Sequence, residues 1–132
     1  MQVDVVSPEK LLFSSDAISV EIPGADGDMT AMANHAPLIT TLRPGVLRVV
    51  QEKDISEYVV TGGFAELGQG VSVLAEKAVL IADFDKEMFD ELVAVAEETL
   101  EAAKANMSGG AVDMAEKFLS DFNILGESLG FK

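Results

Sequence analysis

Among the 132 residues, a single histidine and scattered carboxylates are the groups whose types could carry acid–base chemistry. A general-base arrangement would set His35 against Asp28 or Asp26, the carboxylate orienting the imidazole. The nearest hydroxyls, Thr40 and Thr41, fall in a predicted strand and do not suggest a nucleophile; a loop or interface role suits His35 better. One histidine among dispersed acids is a poor ligand set for a metal. The absence of cysteine removes disulfides, thiolate metal sites and thiol catalysis. The glycine clusters Gly24–Gly27 and Gly62–Gly70 lack the Lys-Ser/Thr of a phosphate loop and do not open a helix. Pro37, Pro44, Gly45, Gly62 and Gly63 are residues of turns and bulges that shape strand ends. The chain is therefore expected to have no catalytic residue, no cofactor and no metal.

The elements that would position these groups come in two kinds. Residues 2–82 predict many short strands. Ile18, Val20 and Ile22 alternate with Ser19 and Glu21 at the period of a half-buried strand, and similar runs lie at Gln2–Val6, Leu38–Leu42, Val46–Gln51, Ile55–Val60, Val71–Leu74 and Ala78–Ile81. Pro23-Gly24, Asp26-Gly27, Pro44-Gly45, Lys53-Asp54, Gly62-Gly63 and Gly68-Gln69-Gly70 are the turns between them. Frequent turns without intervening helices predict a sandwich or barrel.

After Asp83-Phe84-Asp85 the period changes. Met88, Leu92, Ala96, Leu100, Ala103 and Met107 follow helical spacing, with Asp85 as N-cap and Glu87, Asp90 and Glu91 at the positive end of the dipole. Ser108-Gly109-Gly110 predicts a break. A second stripe of Val112, Ala115, Phe118 or Leu119, Phe122 and Leu125 ends near Gly126. The expected fold is a β-sandwich or barrel over residues 1–84 followed by an antiparallel α-helical hairpin over 85–132. So few large apolar residues in the hairpin predict that it needs a surface to dock on, the sandwich or a partner.

The formal net charge is −14. Residues 1–85 carry five Lys/Arg against thirteen Asp/Glu, and residues 86–132 carry four against ten, so no basic face can be assembled for phosphates or anionic lipid. Met1-Gln2-Val3-Asp4 has no basic or apolar leader, and the apolar runs are far too short to span a bilayer. A soluble chain with protein partners is expected.

In residue type and spacing, Gly24-Ala25-Asp26-Gly27-Asp28-Met29-Thr30, then Asn34-His35-Ala36-Pro37-Leu38-Ile39-Thr40-Thr41-Leu42-Arg43-Pro44-Gly45-Val46, resembles the epsilon subunit of bacterial F-type ATP synthases. Asp4-Val5-Val6-Ser7-Pro8-Glu9 with Leu12-Phe13-Ser14 matches that family's opening. Gly62-Gly63-Phe64-Ala65-Glu66 and Val71-Ser72-Val73-Leu74-Ala75 match its later strands, so the likeness runs in order from residue 4 to 80.

The resemblance implies that residues 1–84 form a flattened β-sandwich of about ten strands, and that the chain is a non-catalytic subunit of the central stalk. In that family the sandwich binds the gamma subunit and rests on polar loops of the membrane c-ring, forming the rotor that couples proton flow to ATP synthesis. The alpha and beta subunits of the catalytic head are further candidate contacts. By the same resemblance, Asp28 with Met29 falls on the ring-facing turn, and Ser7, His35 and Thr40 fall on or beside the rotor interfaces. The complex would hold the chain at the cytoplasmic face of the inner membrane, peripherally and without lipid insertion.

Two departures stand out. Thr30-Ala31-Met32-Ala33-Asn34 lacks the proline that many relatives carry ahead of His-Ala-Pro. More important, several relatives bind ATP in the hairpin through an Asp-x-x-Arg-Ala motif, whereas residues 86–132 hold no arginine, only Lys86, Lys104, Lys117 and Lys132. The hairpin is therefore expected to bind ATP weakly or not at all, and to be a weak or absent inhibitor of hydrolysis. The competing readings are a free-standing β-sandwich adaptor or ligand-binding module, and a small hydrolase using His35 with Asp28.

Overall fold

Strands fill the first part of the chain and helices the last, in a computed structural model that describes residues 1–106 and 109–131. Met107 and Ser108, predicted for the end of the first helical stripe and for the break, lie outside the described residues, as does Lys132. Two compact units result, Met1–Asp83 and Phe84–Lys132.

The first unit contains β1 (Gln2–Val6), β2 (Leu11–Asp16), β3 (Ser19–Gly24), β4 (Gly27–Met32), β5 (Leu38–Leu42), β6 (Gly45–Val50), β7 (Ile55–Val60), β8 (Gly63–Leu67), β9 (Val71–Ala75) and β10 (Ala78–Leu80), then a short 3₁₀ turn at Ile81–Asp83. The strands run in the order β10-β7-β6-β3-β5-β8-β9-β1-β2, with β4 also on β3. β3 is the hinge of the sandwich. It pairs with β4 along its whole length, while its other edge pairs with β6 through Ser19–Glu21 and with β5 only at Gly24↔Leu42. The sheet thus divides into two layers, β4-β3-β6-β7-β10 and β5-β8-β9-β1-β2. β1 lies parallel to β9, whereas the other pairings among the described strands are antiparallel.

Period-2 alternation fills the space between the layers. Val3 and Val5, Val20 and Ile22, Leu47 and Val49, and Val71 and Val73 are all buried in one cluster. Each such side chain is worth roughly 1.5–3 kcal/mol of burial, so the two layers are held apart from water by a continuous apolar filling. The Tyr58 hydroxyl donates to the Leu12 carbonyl at 3.3 Å, tying β7 to β2. Ile18, expected to share the buried face of Val20 and Ile22, precedes β3 and is 54% exposed. The chain enters β3 there from the β2–β3 turn, before the pleat that alternates its side chains begins.

In the second unit, α1 (Lys86–Ala105) starts where predicted. Asp85 has an extended backbone and its carboxylate accepts the Met88 N–H at 2.9 Å. The buried face of α1 is Phe89, Ala96 and Ala103, one position on from the predicted Met88. These three recur every seven residues, the spacing of a packing seam. α2 (Gly109–Ser128) buries Ala115, Phe122, Leu125 and Gly126. Gly109 and Gly110 belong to its first turn and not to the break, and Gly126 sits on its packed face instead of ending it. A Cβ at Gly126 would lie 2.3 Å from Cζ of Phe89. The start of α1 therefore touches the end of α2, and the helices run antiparallel. Phe131 closes this end, its ring 5.5 Å from that of Phe89 and 6.0 Å from that of Phe84.

Candidate functional site

His35 lies in the loop between β4 and β5, just after Asn34, whose φ of 61° places it in the left-handed region. Its Nδ1 is 2.7 Å from the carbonyl oxygen of the next residue, Ala36, so that the ring N–H donates to its own loop. Asp28, at the start of β4, is paired with Arg43 and not with histidine. The structure thus does not assemble the His35–Asp28 dyad that a hydrolase would need. Among the described residues, no group of three or more His, Cys, Asp or Glu could hold a metal ion.

The five residues singled out from the sequence occupy different parts of the sandwich. Ser7 is in the tight β1–β2 turn, where its N–H donates to the Lys10 carbonyl at 2.9 Å. Met29 is half-buried and packs on the core. Thr40 pairs in register with Ala65 of β8, on the row that faces the interior. Asp28 and His35 lie on and after β4.

Ser7 is brought beside residues that the sequence reading passed over. The register aligns Thr41 with Phe64, Phe64 with Leu74, and Leu74 with Val6 across β5, β8, β9 and β1. These side chains point away from the core, where alternation calls for polar residues. Phe64 is nevertheless 54% exposed and Leu74 55% exposed. Leu11, paired with Val6 across a register shift, and Ile39 on β5 extend the exposed apolar surface. A groove of about 580 Å³ follows this row, lined by Val6, Ser7, Pro8, Phe64, Leu74 and Glu76 among others. Gly63 keeps its wall low: φ is +121°, and a Cβ there would come 2.1 Å from the Leu74 carbonyl oxygen. The signal for this site was present in Phe64 and Leu74, two large apolar residues in outward register beside Glu66 and Ser72.

A second hollow of about 430 Å³ shares Ser7, Pro8 and Glu76 and adds Lys10, Lys77 and Asp83. Its charges are mixed. Neither hollow presents a nucleophile with a base to activate it. What the geometry offers is contact area, an apolar strip edged by charge, as in the core and rim of a protein interface.

The model of the ATP synthase Delta/Epsilon chain beta-sandwich domain matches residues 1–81. An ATP synthase epsilon chain from Fuscovulum blasticum is 51% identical over 132 residues, covering 99% of this chain and 97% of that one. The chain belongs to the ATP synthase epsilon family. A second member, from Paracoccus denitrificans, is 46% identical, covering 98% of this chain and 90% of its own length. In fold, the chain is similar to one in the cryo-EM structure of the Euglena gracilis mitochondrial ATP synthase, OSCP/F1/c-ring, with TM-score 0.71, 22% identity, and coverage of 96% and 79%. A chain of the Tetrahymena thermophila mitochondrial ATP synthase central stalk/c-ring is more distant, at TM-score 0.52 and 16% identity. The sandwich and the helical pair described above are thus the architecture expected of an epsilon-family chain.

Proposed function

We propose that this chain is a non-catalytic subunit of the ATP synthase rotor, coupling proton passage through the c-ring to ATP synthesis by binding gamma and the ring. Membership of the epsilon family supports it, as do the two structural neighbours, which come from an OSCP/F1/c-ring assembly and a central stalk/c-ring assembly. The observation that carries the reading is the outward apolar row of Phe64, Leu74 and Val6 with Ser7 beside it. A torque-transmitting part needs a stiff body and a broad contact. A close-packed sandwich supplies the first and this strip the second.

On this reading gamma covers the Ser7–Phe64–Leu74 groove, and the β3–β4 turn bearing Asp28 meets the ring. The complex then holds the chain peripherally at the cytoplasmic face of the inner membrane. No described helix is long and apolar enough to cross a membrane. The hairpin, lacking arginine from residue 86 onward, binds ATP weakly at most and exerts little braking on hydrolysis.

Replacing Phe64 and Leu74 together by glutamate tests the reading. Both side chains are exposed, so thermal unfolding should move by less than about 1 kcal/mol. Loss of central hot-spot contacts at an interface costs on the order of 2–4 kcal/mol, so co-purification with gamma should fall by roughly 30-fold or more. A folded double variant that still recovers gamma normally would refute this docking face.

A further inference from the structure

Arg43 spans both legs of the β3–β4 hairpin. One guanidinium nitrogen donates to the carbonyl of Gly24, the last residue of β3, and the other to the carboxylate of Asp28, near the start of β4. The backbone doubles the link. Arg43 N–H donates to the Pro23 carbonyl at 2.9 Å, and Ala25 N–H donates to the Thr41 carbonyl at 2.9 Å. Beneath it, Gly45 sits so close that a Cβ there would lie 2.7 Å from Cβ of Pro23. The corner between β5 and β6 is thus clamped onto the hairpin tip. Arg43 is 25% exposed and Asp28 78% exposed. The cation is tucked inward and the carboxylate faces out, already paired.

An unpaired Asp28 would act as a free anion seeking a basic side chain on whatever it meets. The observed pair presents instead a charge-matched Asp28 with outward-facing acceptor capacity on a fixed backbone. A guanidinium fork that bridges a carbonyl and a carboxylate cannot be reproduced by a point charge.

The geometry points to Arg43 as a positioning residue for the ring contact, presenting Asp28 on a pre-ordered tip as one half of an ion pair and not as a bare carboxylate. This rests on the rotor reading above, in which that tip meets the ring. Pre-ordering removes the entropy that a loose turn would lose on each encounter.

Two measurements on Arg43→Gln, Asp28→Asn and the double variant test it. In the free full-length chain, amide exchange at Ala25 reads the clamp independently of any partner. Each single variant should speed it about three- to ten-fold, and the double variant should be no faster than the singles, because both break one linkage. Unchanged exchange in both singles overturns the clamp whatever the tip touches. In the assembled synthase, the ratio of proton pumping to ATP hydrolysis in inverted vesicles reads the contact. All three variants should lower it alike, by about two-fold, with Arg43→Lys intermediate. Loss in Asp28→Asn with full coupling in Arg43→Gln would mean that Asp28 acts as a free carboxylate, and overturns the proposal. Faster exchange with coupling untouched in every variant would keep the clamp but remove the tip from the ring interface, overturning the rotor role assigned to it.

Discussion

Asp4 lies on the outer face of β1, where its carboxylate accepts from the Ser14 hydroxyl at 2.6 Å and from the Gln2 amide at 3.1 Å. Ser14 stands opposite it in register on β2. These bonds, that from Ser14 first, favour the charged form, so the Asp4 carboxyl titrates below its ordinary value. A depressed folded pKa contributes stability above the unfolded value of about 3.9, and that contribution is lost as pH falls through the folded pKa. Replacing Ser14 by alanine should therefore leave stability near pH 7 little changed in its slope while flattening the acid limb below about pH 4. Urea unfolding midpoints measured from pH 2.5 to 7 would show it, and an acid limb identical to that of the parent would refute the assignment. Such cross-strand details were hidden in the sequence, because β2 was not predicted: Leu11–Asp16 ends in Ser14, Ser15 and Asp16 and buries little. The Arg43–Asp28 pair was hidden for the same reason, since register across a corner is a three-dimensional fact. His35 was legible as a residue of the loop ahead of β5.

At the level of elements, legibility followed periodicity. Strands with two or more large apolar residues on one face, such as β1, β6, β7 and β9, fell within a residue or two of their predicted bounds. β4 was missed as a strand, and β8 was reached only through the family resemblance of Gly62–Glu66 and not through periodicity. Ala31 is the one fully buried residue of β4, and β8 buries only Ala65 and Leu67 behind two glycines, so neither shows a strong alternation. The helices were predicted from a stripe whose phase at the start was off by one, because Phe89 and not Met88 faces the seam. That seam depends on Gly126. Alanine there would gain about 1 kcal/mol of helix propensity but drive a methyl into the Phe89 ring, an overpacking cost of about 1–3 kcal/mol. Phe89 is buried and held against Phe131, so the ring has little room to yield. Gly126→Ala should thus lower the stability of the helical unit by about 1 kcal/mol, and pairing it with Phe89→Leu should restore much of the loss. Amide exchange resolved for α1 and α2, compared with that of β6 and β7, is the measurement. Protection unchanged in the helices, or lost equally in the strands, would contradict the close approach.

Taken as a whole molecule, the chain is an anion whose sandwich carries an exposed apolar strip, and its two units differ in their basic residues. The sandwich has Arg43 and Arg48, the latter bound to Glu21 at 2.7 Å; the helical unit has lysines alone, three of which are spent on helix-spaced pairs, Lys86 with Asp90, Lys104 with Glu101 and Lys117 with Asp121. Nucleotide phosphate needs several directed donors at once, and guanidinium forks supply them where paired lysines on an acidic surface do not. An acidic hairpin is likewise held off from any acidic partner surface by a field that only salt weakens. Calorimetric titration of the full chain with ATP should therefore show no binding at millimolar nucleotide, with or without magnesium. Removing residues 84–132 should change ATP hydrolysis by the assembled synthase by less than about two-fold, a barrier change below about 0.5 kcal/mol. A several-fold rise in hydrolysis on deletion would show that the hairpin grips the catalytic head through apolar faces such as Met114 and Phe118, which are exposed on α2, and that the charge argument is the weaker force.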